Sequence, residues 1–497
     1  MTEDSLKTKT VKGVTWSAID NVAGYAVTFI VGVILARLLS PEDYGLLGLI
    51  GIFTAICRCF INAGFGSALI RKKDVTNDDY NTVFIFNLVM SMVLYGLLFI
   101  CAPLIADFFN RRELVALTRV SSMGMIIGAL AVTQRTKLIK RIDFKTQTKI
   151  TIITAVVRGI VGITAAFIGW GVWALVAQEL TGTIVSTILL WYYNRWIPNL
   201  RFSVNSFKEL FDYGSKLLAS SLIDTIWKEA YQVVIGKCYA PATLGQYTRA
   251  TMFSNLFSSN LTNIVQRVSF PVLSEIQDEQ TRLKNGYQRI IKTTMLITFC
   301  FMLMLAAIAK PMIIVLIGEK WIQASYFLQI VCFGSMLYPL HAINLNMLQV
   351  QGRSDLFLHL EIIKKIIAIG PLLLGVFFSI YWMLIGSVLT GFVSYYLNAY
   401  YSGPFLNYSI KDQIKDIFPS FRIALIAALL SYIPVVVFET GRLNIPWTLA
   451  AFIILPIQLV IGTLTIFFLN EKYHTSEYLE LKNIIQSTFH KIVRNEK

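Results

Sequence analysis

The sequence predicts an all-α polytopic membrane protein with about fourteen transmembrane helices, built as two parallel six-helix lobes plus a C-terminal helix pair. Three observations carry the prediction: an apolar excess, an alternation of basic loops, and an internal repeat of about 200 residues. Of 497 residues, 55% are hydrophobic and only 15% charged, with a mean hydropathy of +0.62. Soluble domains run nearer 45–50% apolar and about 25% charged. This composition excludes a disordered chain, a nucleic-acid-binding domain and a secreted disulfide scaffold. One spanning helix takes about 20 apolar residues. The roughly 270 hydrophobic residues therefore suffice for a dozen or more spans and leave little for a water-soluble domain.

Apolar runs bounded by charges, Pro and Gly place the spans at 14–38, 44–70, 82–105, 114–137, 150–169, 171–193, 216–239, 246–272, 290–309, 322–349, 358–378, 381–402, 421–438 and 446–469. Arg58 and Asn62 interrupt the second run, and Asp224, Lys228 and Glu229 interrupt the seventh. Both are kept as spans, because removing either breaks the charge pattern. Three further stretches, 203–215, 409–419 and the basic tail, are amphipathic. They fit either the headgroup plane or packing on the cytoplasmic face.

The net charge of +15 follows the positive-inside rule. With a cytoplasmic N-terminus, the inner loops hold most of the Lys and Arg, including Arg71–Lys73 and the cluster from Arg135 to Lys149, while the outer loops hold Arg111, Arg112, Lys310, Lys320 and Arg442. Both termini are then cytoplasmic. The four histidines show no metal-ligand spacing.

The repeat begins with Arg37-x3-Pro41-x3-Gly45, answered by Lys237-x3-Pro241-x3-Gly245. Tyr80 and Pro103 are answered by Tyr287 and Pro311. Each copy closes on W-x-L-x4-L-T-G, at Trp173 to Gly182 and at Trp382 to Gly391. Six spans per copy is an even number, so both copies enter the membrane in the same direction, about an axis along the membrane normal. Transporters with such repeats bind substrate between halves and expose it alternately to each side. The expected organisation is an N-terminal lobe at 1–200, a second lobe at 201–405, an extra helix pair at 406–470 and a basic tail at 471–497.

The block 34–73, ILARLLSPEDYGLLGLIGIFTAICRCFINAGFGSALIRKK, resembles the N-terminal region of the Wzx-type polysaccharide flippases, in particular the colanic-acid-exporter-like branch. These belong to the multidrug/oligosaccharidyl-lipid/polysaccharide exporter superfamily. The segment 167–182 resembles the end of that family's first lobe. The resemblance implies transport, not enzymatic catalysis: undecaprenyl-pyrophosphate-linked oligosaccharide repeat units pass from the cytoplasmic to the outer leaflet of the bacterial inner membrane, for lipopolysaccharide or another surface polysaccharide. It implies no cofactor and leaves the coupling ion, Na+ or H+, open. The implied partners are the lipid-linked oligosaccharide, membrane lipids, and polymerase or other polysaccharide-assembly proteins, with no nucleic acid.

A charge at the bilayer centre costs about 2.5–3.5 kcal/mol on insertion scales, so it faces a partner or a wet cavity. Arg58 and Arg158 lie mid-span, and guanidinium groups suit a pyrophosphate through bidentate charged hydrogen bonds. The alternative for each is a structural pair, with Asp20 or Glu179. Lys228 is also mid-span, with Asp224 four residues earlier as a local partner. Arg37 and Lys237 are repeat mates at span ends, where snorkelling is the alternative. Glu179, Gln178, Asp20 and Asn21 are candidates to bind sugar hydroxyls or a coupling ion, against interhelical hydrogen bonding. His341, Asn344 and Asn346 read as packing residues.

Three rival readings have weaker support. A polymerase or ligase enzyme needs acids and bases in a sizeable outer loop, which the sequence lacks. A multidrug exporter for cationic compounds favours unpaired carboxylates. A lipid II flippase shares the anionic ligand, but the block at 34–73 favours the polysaccharide branch.

Overall fold

The computed structural model describes residues 24, 26–62, 64–141, 143–199, 201–441, 445–473, 477–479 and 482. Among these the chain is an all-α polytopic membrane protein with no strand. In chain order the helices are α1 (Ala26–Leu38), α2 (Pro41–Asn62), α3 (Phe65–Arg71), α4 (Asn77–Phe109), α5 (Glu113–Lys140), α6 (Phe144–Phe167), α7 (Val172–Asn194), α8 (Val204–Cys238) and α9 (Pro241–Glu275). There follow α10 (Gln280–Ile317), α11 (Ile322–Ser335), α12 (Tyr338–Val350), α13 (Ser354–Ile367), α14 (Ile369–Phe377), α15 (Ile380–Ser402), α16 (Ile410–Thr440) and α17 (Trp447–Tyr473).

Ten helical stretches among the described residues are long and apolar enough to cross a membrane. The other expected spans fall on α1, which is short where described, on α8 and α9, and on α13 with α14. The helices α8 and α9 are long, at 35 residues each, but polar. A helix interruption at Ala368 divides α13 from α14.

By packing, the chain forms two compact units, Met1–Gly245 and Gln246–Lys497. In the first unit, α4 pairs with α5, α6 with α7, α5 with α7, and α2 with α8. Small residues set the close approaches. A Cβ on Gly162 would stand 3.0 Å from Gln178 Cβ, so α6 meets α7 nearly backbone to side-chain root. The start of α8 seats Phe207 and Phe211 against Phe65 of α3, with centroids 5.9 and 6.2 Å away. Lys72 ties this corner together, pairing with Asp79 at 3.0 Å and Glu209 at 2.9 Å. Burial pulls the Lys72 ammonium down, but the hydrogen bonds to Glu209 and Asp79 outweigh it and hold it above the ordinary lysine value. The amphipathic stretch 203–215 is thus the first turns of a long helix packed on the unit's end. Likewise 409–419 opens α16 behind a capping box at Ser409.

In the second unit α10 is central, packing on α11, α12, α16 and α17. A buried polar knot centres on Asn344, fully enclosed. Its Oδ1 accepts from Tyr287 Oη at 2.6 Å, Ser402 Oγ at 2.8 Å and Gln413 Nε2 at 3.2 Å. Asn346 donates to Ser269 Oγ at 2.9 Å, and His341 Nδ1 lies 3.3 Å from Asn398 Nδ2. These three residues are therefore satisfied packing groups, as the sequence indicates. Repeat positions also recur in matching helices. Pro41 and Pro241 open α2 and α9, Pro103 and Pro311 lie inside α4 and α10, and Trp173 and Trp382 lie in the first turns of α7 and α15.

Candidate functional site

The first unit lines an open cavity in two stretches that share wall residues, a wide one of about 890 Å³ and a narrow one of about 280 Å³. Four helices contribute stripes at three- and four-residue spacing, as one helical face requires. From α2 come Thr54, Arg58 and Asn62; from α5 come Ser121, Gly128, Val132 and Arg135. From α7 come Gln178, Glu179, Gly182, Thr183 and Ser186, and α6 adds Thr154 and Arg158. The narrow stretch runs toward Leu47. The wide one also reaches Leu47 and runs past a helix break at Gly64 to Ile70, Thr136 and Ile139.

That break follows from the sequence. Gly64 has φ 70°, a left-handed conformation that separates α2 from α3. A Cβ there would also lie 2.7 Å from Gly214 O on α8. The single interrupted run at 44–70 is therefore two helices, with Arg58 one turn before the break.

Four of the nine candidate residues meet in this cavity: Arg58, Arg158, Gln178 and Glu179. Arg58 Nη2 pairs with Glu179 Oε1 at 3.1 Å and reaches Thr54 Oγ1 at 3.5 Å. Arg158 Nη2 donates to Thr28 Oγ1 of α1 at 2.9 Å. The carboxylate of Glu179 thus goes to Arg58. Gly182, the glycine closing the first L-T-G signature, leaves room for Arg158: a Cβ there would lie 3.0 Å from Arg158 Cδ.

The others lie elsewhere. Lys228 stands exposed on α8, where it and Arg58 both act electrostatically on Glu229. Arg37 is exposed at the end of α1. Lys237 donates to Phe108 O and covers the Phe108 ring at 4.6 Å, so it caps the C-terminus of α4. Asp20 and Asn21 lie outside the described residues. In the second copy, Lys364 is held by Glu361 one turn earlier.

Sequence reasoning missed Arg135. The basic cluster places it in an inner loop, but α5 continues to Lys140, so Arg135 sits on the cavity stripe and donates to Ser186 Oγ at 3.3 Å. The signal was its spacing from Gly128 and Val132. Among the described residues the cavity wall therefore carries three guanidinium groups against one carboxylate, with hydroxyls and amides between them. Such a surface suits a phosphorylated, hydroxyl-rich ligand.

Among known proteins, the chain is 25% identical over 355 residues to the teichuronic acid biosynthesis protein TuaB of Bacillus subtilis (strain 168), covering 71% of this chain and 73% of TuaB. It is 24% identical over 440 residues to the lipopolysaccharide biosynthesis protein WzxC of Escherichia coli (strain K12), covering 86% and 88%. The structure of the lipid II flippase MurJ in its inward closed conformation matches with a TM-score of 0.69 at 15% identity, over 93% of this chain and 99% of that one. At that identity the likeness is one of fold. The model of a family described as polysaccharide biosynthesis protein matches residues 34–326, which include the Wzx-like block and α2, α3, α5, α6 and α7, the helices that line the cavity. That match spans more than half of the 497 residues, and the chain belongs to the polysaccharide biosynthesis protein family.

Proposed function

We propose that this protein is a flippase that carries undecaprenyl-pyrophosphate-linked oligosaccharide repeat units from the cytoplasmic to the outer leaflet of a bacterial inner membrane by alternating access. Fourteen crossings with both termini cytoplasmic accord with the alternation of basic loops. The observation that carries the reading is the cavity of about 890 Å³ with Arg58, Arg135 and Arg158 on its wall against Glu179 as the one carboxylate among the described residues. In this reading the arginines bind the pyrophosphate, while Gln178, Glu179 and the wall hydroxyls meet sugar hydroxyls. Lys228, Arg37 and Lys237 contribute cationic charge along the path. Likeness to proteins of teichuronic acid and lipopolysaccharide biosynthesis supports the substrate class. A cationic wall is unsuited to cationic drugs, which argues against a multidrug exporter.

Deletion of the gene tests the reading. It should abolish one surface polysaccharide and leave its lipid-linked repeat unit on the cytoplasmic leaflet. If the unit reaches the outer leaflet but is not polymerised or ligated, the protein is an assembly enzyme instead.

A further inference from the structure

The two copies of the Pro-x3-Gly motif touch each other, and both lie inside the first unit. A Cβ on Gly45 would stand 1.8 Å from Pro241 O, and a Cβ on Gly245 would stand 1.8 Å from Pro41 O. The contact is reciprocal, as in a two-fold interface, with residue i on j and j on i. It joins the first turn of α2 to the first turn of α9, backbone against backbone, close enough for Cα–H···O contacts. Two more glycines extend it. A Cβ on Gly48 would lie 3.2 Å from Leu244 Cδ2, and one on Gly236 would lie 2.2 Å from Leu49 Cδ2.

The position gives the contact its consequence. Both stretches of the cavity reach Leu47, two residues beyond Gly45, and only the wide one continues the other way to Ile70 and Ile139. We infer that the paired Pro-x3-Gly turns are the outer seal of the transport path, closed here and parting when the cavity turns outward. The inference rests on the alternating-access reading for its direction. It explains why the motif is duplicated: each copy supplies a proline carbonyl for the other's glycine. Any side chain at Gly45 or Gly245 meets main chain, which cannot rotate away as a leucine can, so the turns must separate.

The test uses the full-length protein in cells, without its native cysteines, carrying Thr183→Cys on the cavity wall. A membrane-impermeant thiol reagent added outside should barely reach this site in the parent. Gly45→Ala or Gly245→Ala should raise the labelling rate about ten- to a hundredfold, the factor by which overpacking of this kind shifts a two-state equilibrium. Gly96→Ala, where an added Cβ meets nothing within 4 Å, should leave it unchanged. Unchanged labelling in both alanine variants, at normal protein abundance, overturns the inference. If neither variant accumulates, Gly48→Cys/Leu244→Cys decides. The pair should cross-link in membranes and block export until reduced. Failure to cross-link, or export that survives complete cross-linking, overturns the seal. Faster labelling with export indifferent to gene deletion upholds the seal and rejects the proposed flippase function.

Discussion

Two arginines of the cavity sit in different company, and magnitude separates their roles. The Arg58 and Glu179 side chains are 56% and 44% exposed, so water screens their pair. Such pairs stabilise by about 0–1 kcal/mol. Arg58→Ala and Glu179→Gln should therefore leave membrane abundance near normal, as read by immunoblot, while Arg58→Ala lowers export. Loss of the protein in both variants would make the pair structural. Among the described residues Arg158 bonds a neutral partner, Thr28, at 2.9 Å, so its removal should break no ion pair there. A phosphate-binding cation contributes about 1.5–3 kcal/mol, or ten- to a hundredfold in apparent affinity. Arg158→Ala should cripple export at normal abundance, and Arg158→Lys should recover part of it. Normal export from Arg158→Ala would remove the residue from the substrate site. Arg58, Arg158, Gln178 and Glu179 were legible in the sequence because a charge or amide in an apolar run has a solvation cost that demands an explanation. Thr54 and Thr183 were not, because a helical hydroxyl can satisfy itself on its own backbone, as Thr54 does with Gly51 O and Thr183 with Glu179 O, both at 3.0 Å.

Helices were legible as apolar runs, but their ends and partners were not. The charge of Arg135 looked like a loop because hydropathy marks where lipid stops, while hydrogen bonding carries α5 on to Lys140. The stretch 203–215 was ambiguous because an apolar face does not reveal whether lipid or Phe65 will cover it. Its docking has a titratable element in Lys72. A lysine whose folded pKa is raised contributes stability that is complete below its unfolded pKa of about 10.4 and is lost only as pH rises through the folded value. Proteolytic cleavage around 201–203 should therefore stay constant from pH 6 to 9 and increase in Lys72→Met. A marked rise between pH 7 and 8 would contradict this tie. In the second unit Asn344 joins α10, α12, α15 and α16 through one carbonyl oxygen. Membrane-buried hydrogen bonds average about 0.6 kcal/mol each. Asn344→Ala should thus cost roughly 2 kcal/mol with its unpaired neighbours, seen as a lower apparent melting temperature in detergent. An unchanged temperature would mean the knot relaxes without loss.

At the scale of the chain, the repeat was legible because turn residues recur at fixed spacing, but a repeat boundary is not a packing boundary. The second copy begins near residue 201, yet α8 packs with the first unit, which extends to Gly245. Glycines at 48 and 236 and the aromatic start of α8 draw it there, and neither feature announces its partner in the sequence. Orientation is the remaining large-scale property, and it rests on the Lys and Arg bias alone. Its test needs sites that are both loop-borne and accessible. Thr136 and Asn470 fail that condition, being 4% and 1% exposed. Asp74, between α3 and α4, and Lys472, at the end of α17, are exposed on the side expected to be cytoplasmic, and Asp107, near the end of α4, is exposed on the other. In a background lacking the native cysteines, Asp107→Cys should react with an impermeant thiol reagent in intact cells. Asp74→Cys and Lys472→Cys should react only after the membrane is permeabilised. Labelling of Asp74→Cys in intact cells would invert the first hairpin and with it the direction of transport. Labelling of Lys472→Cys alone would leave that direction standing and change the number of crossings between α4 and the C-terminus.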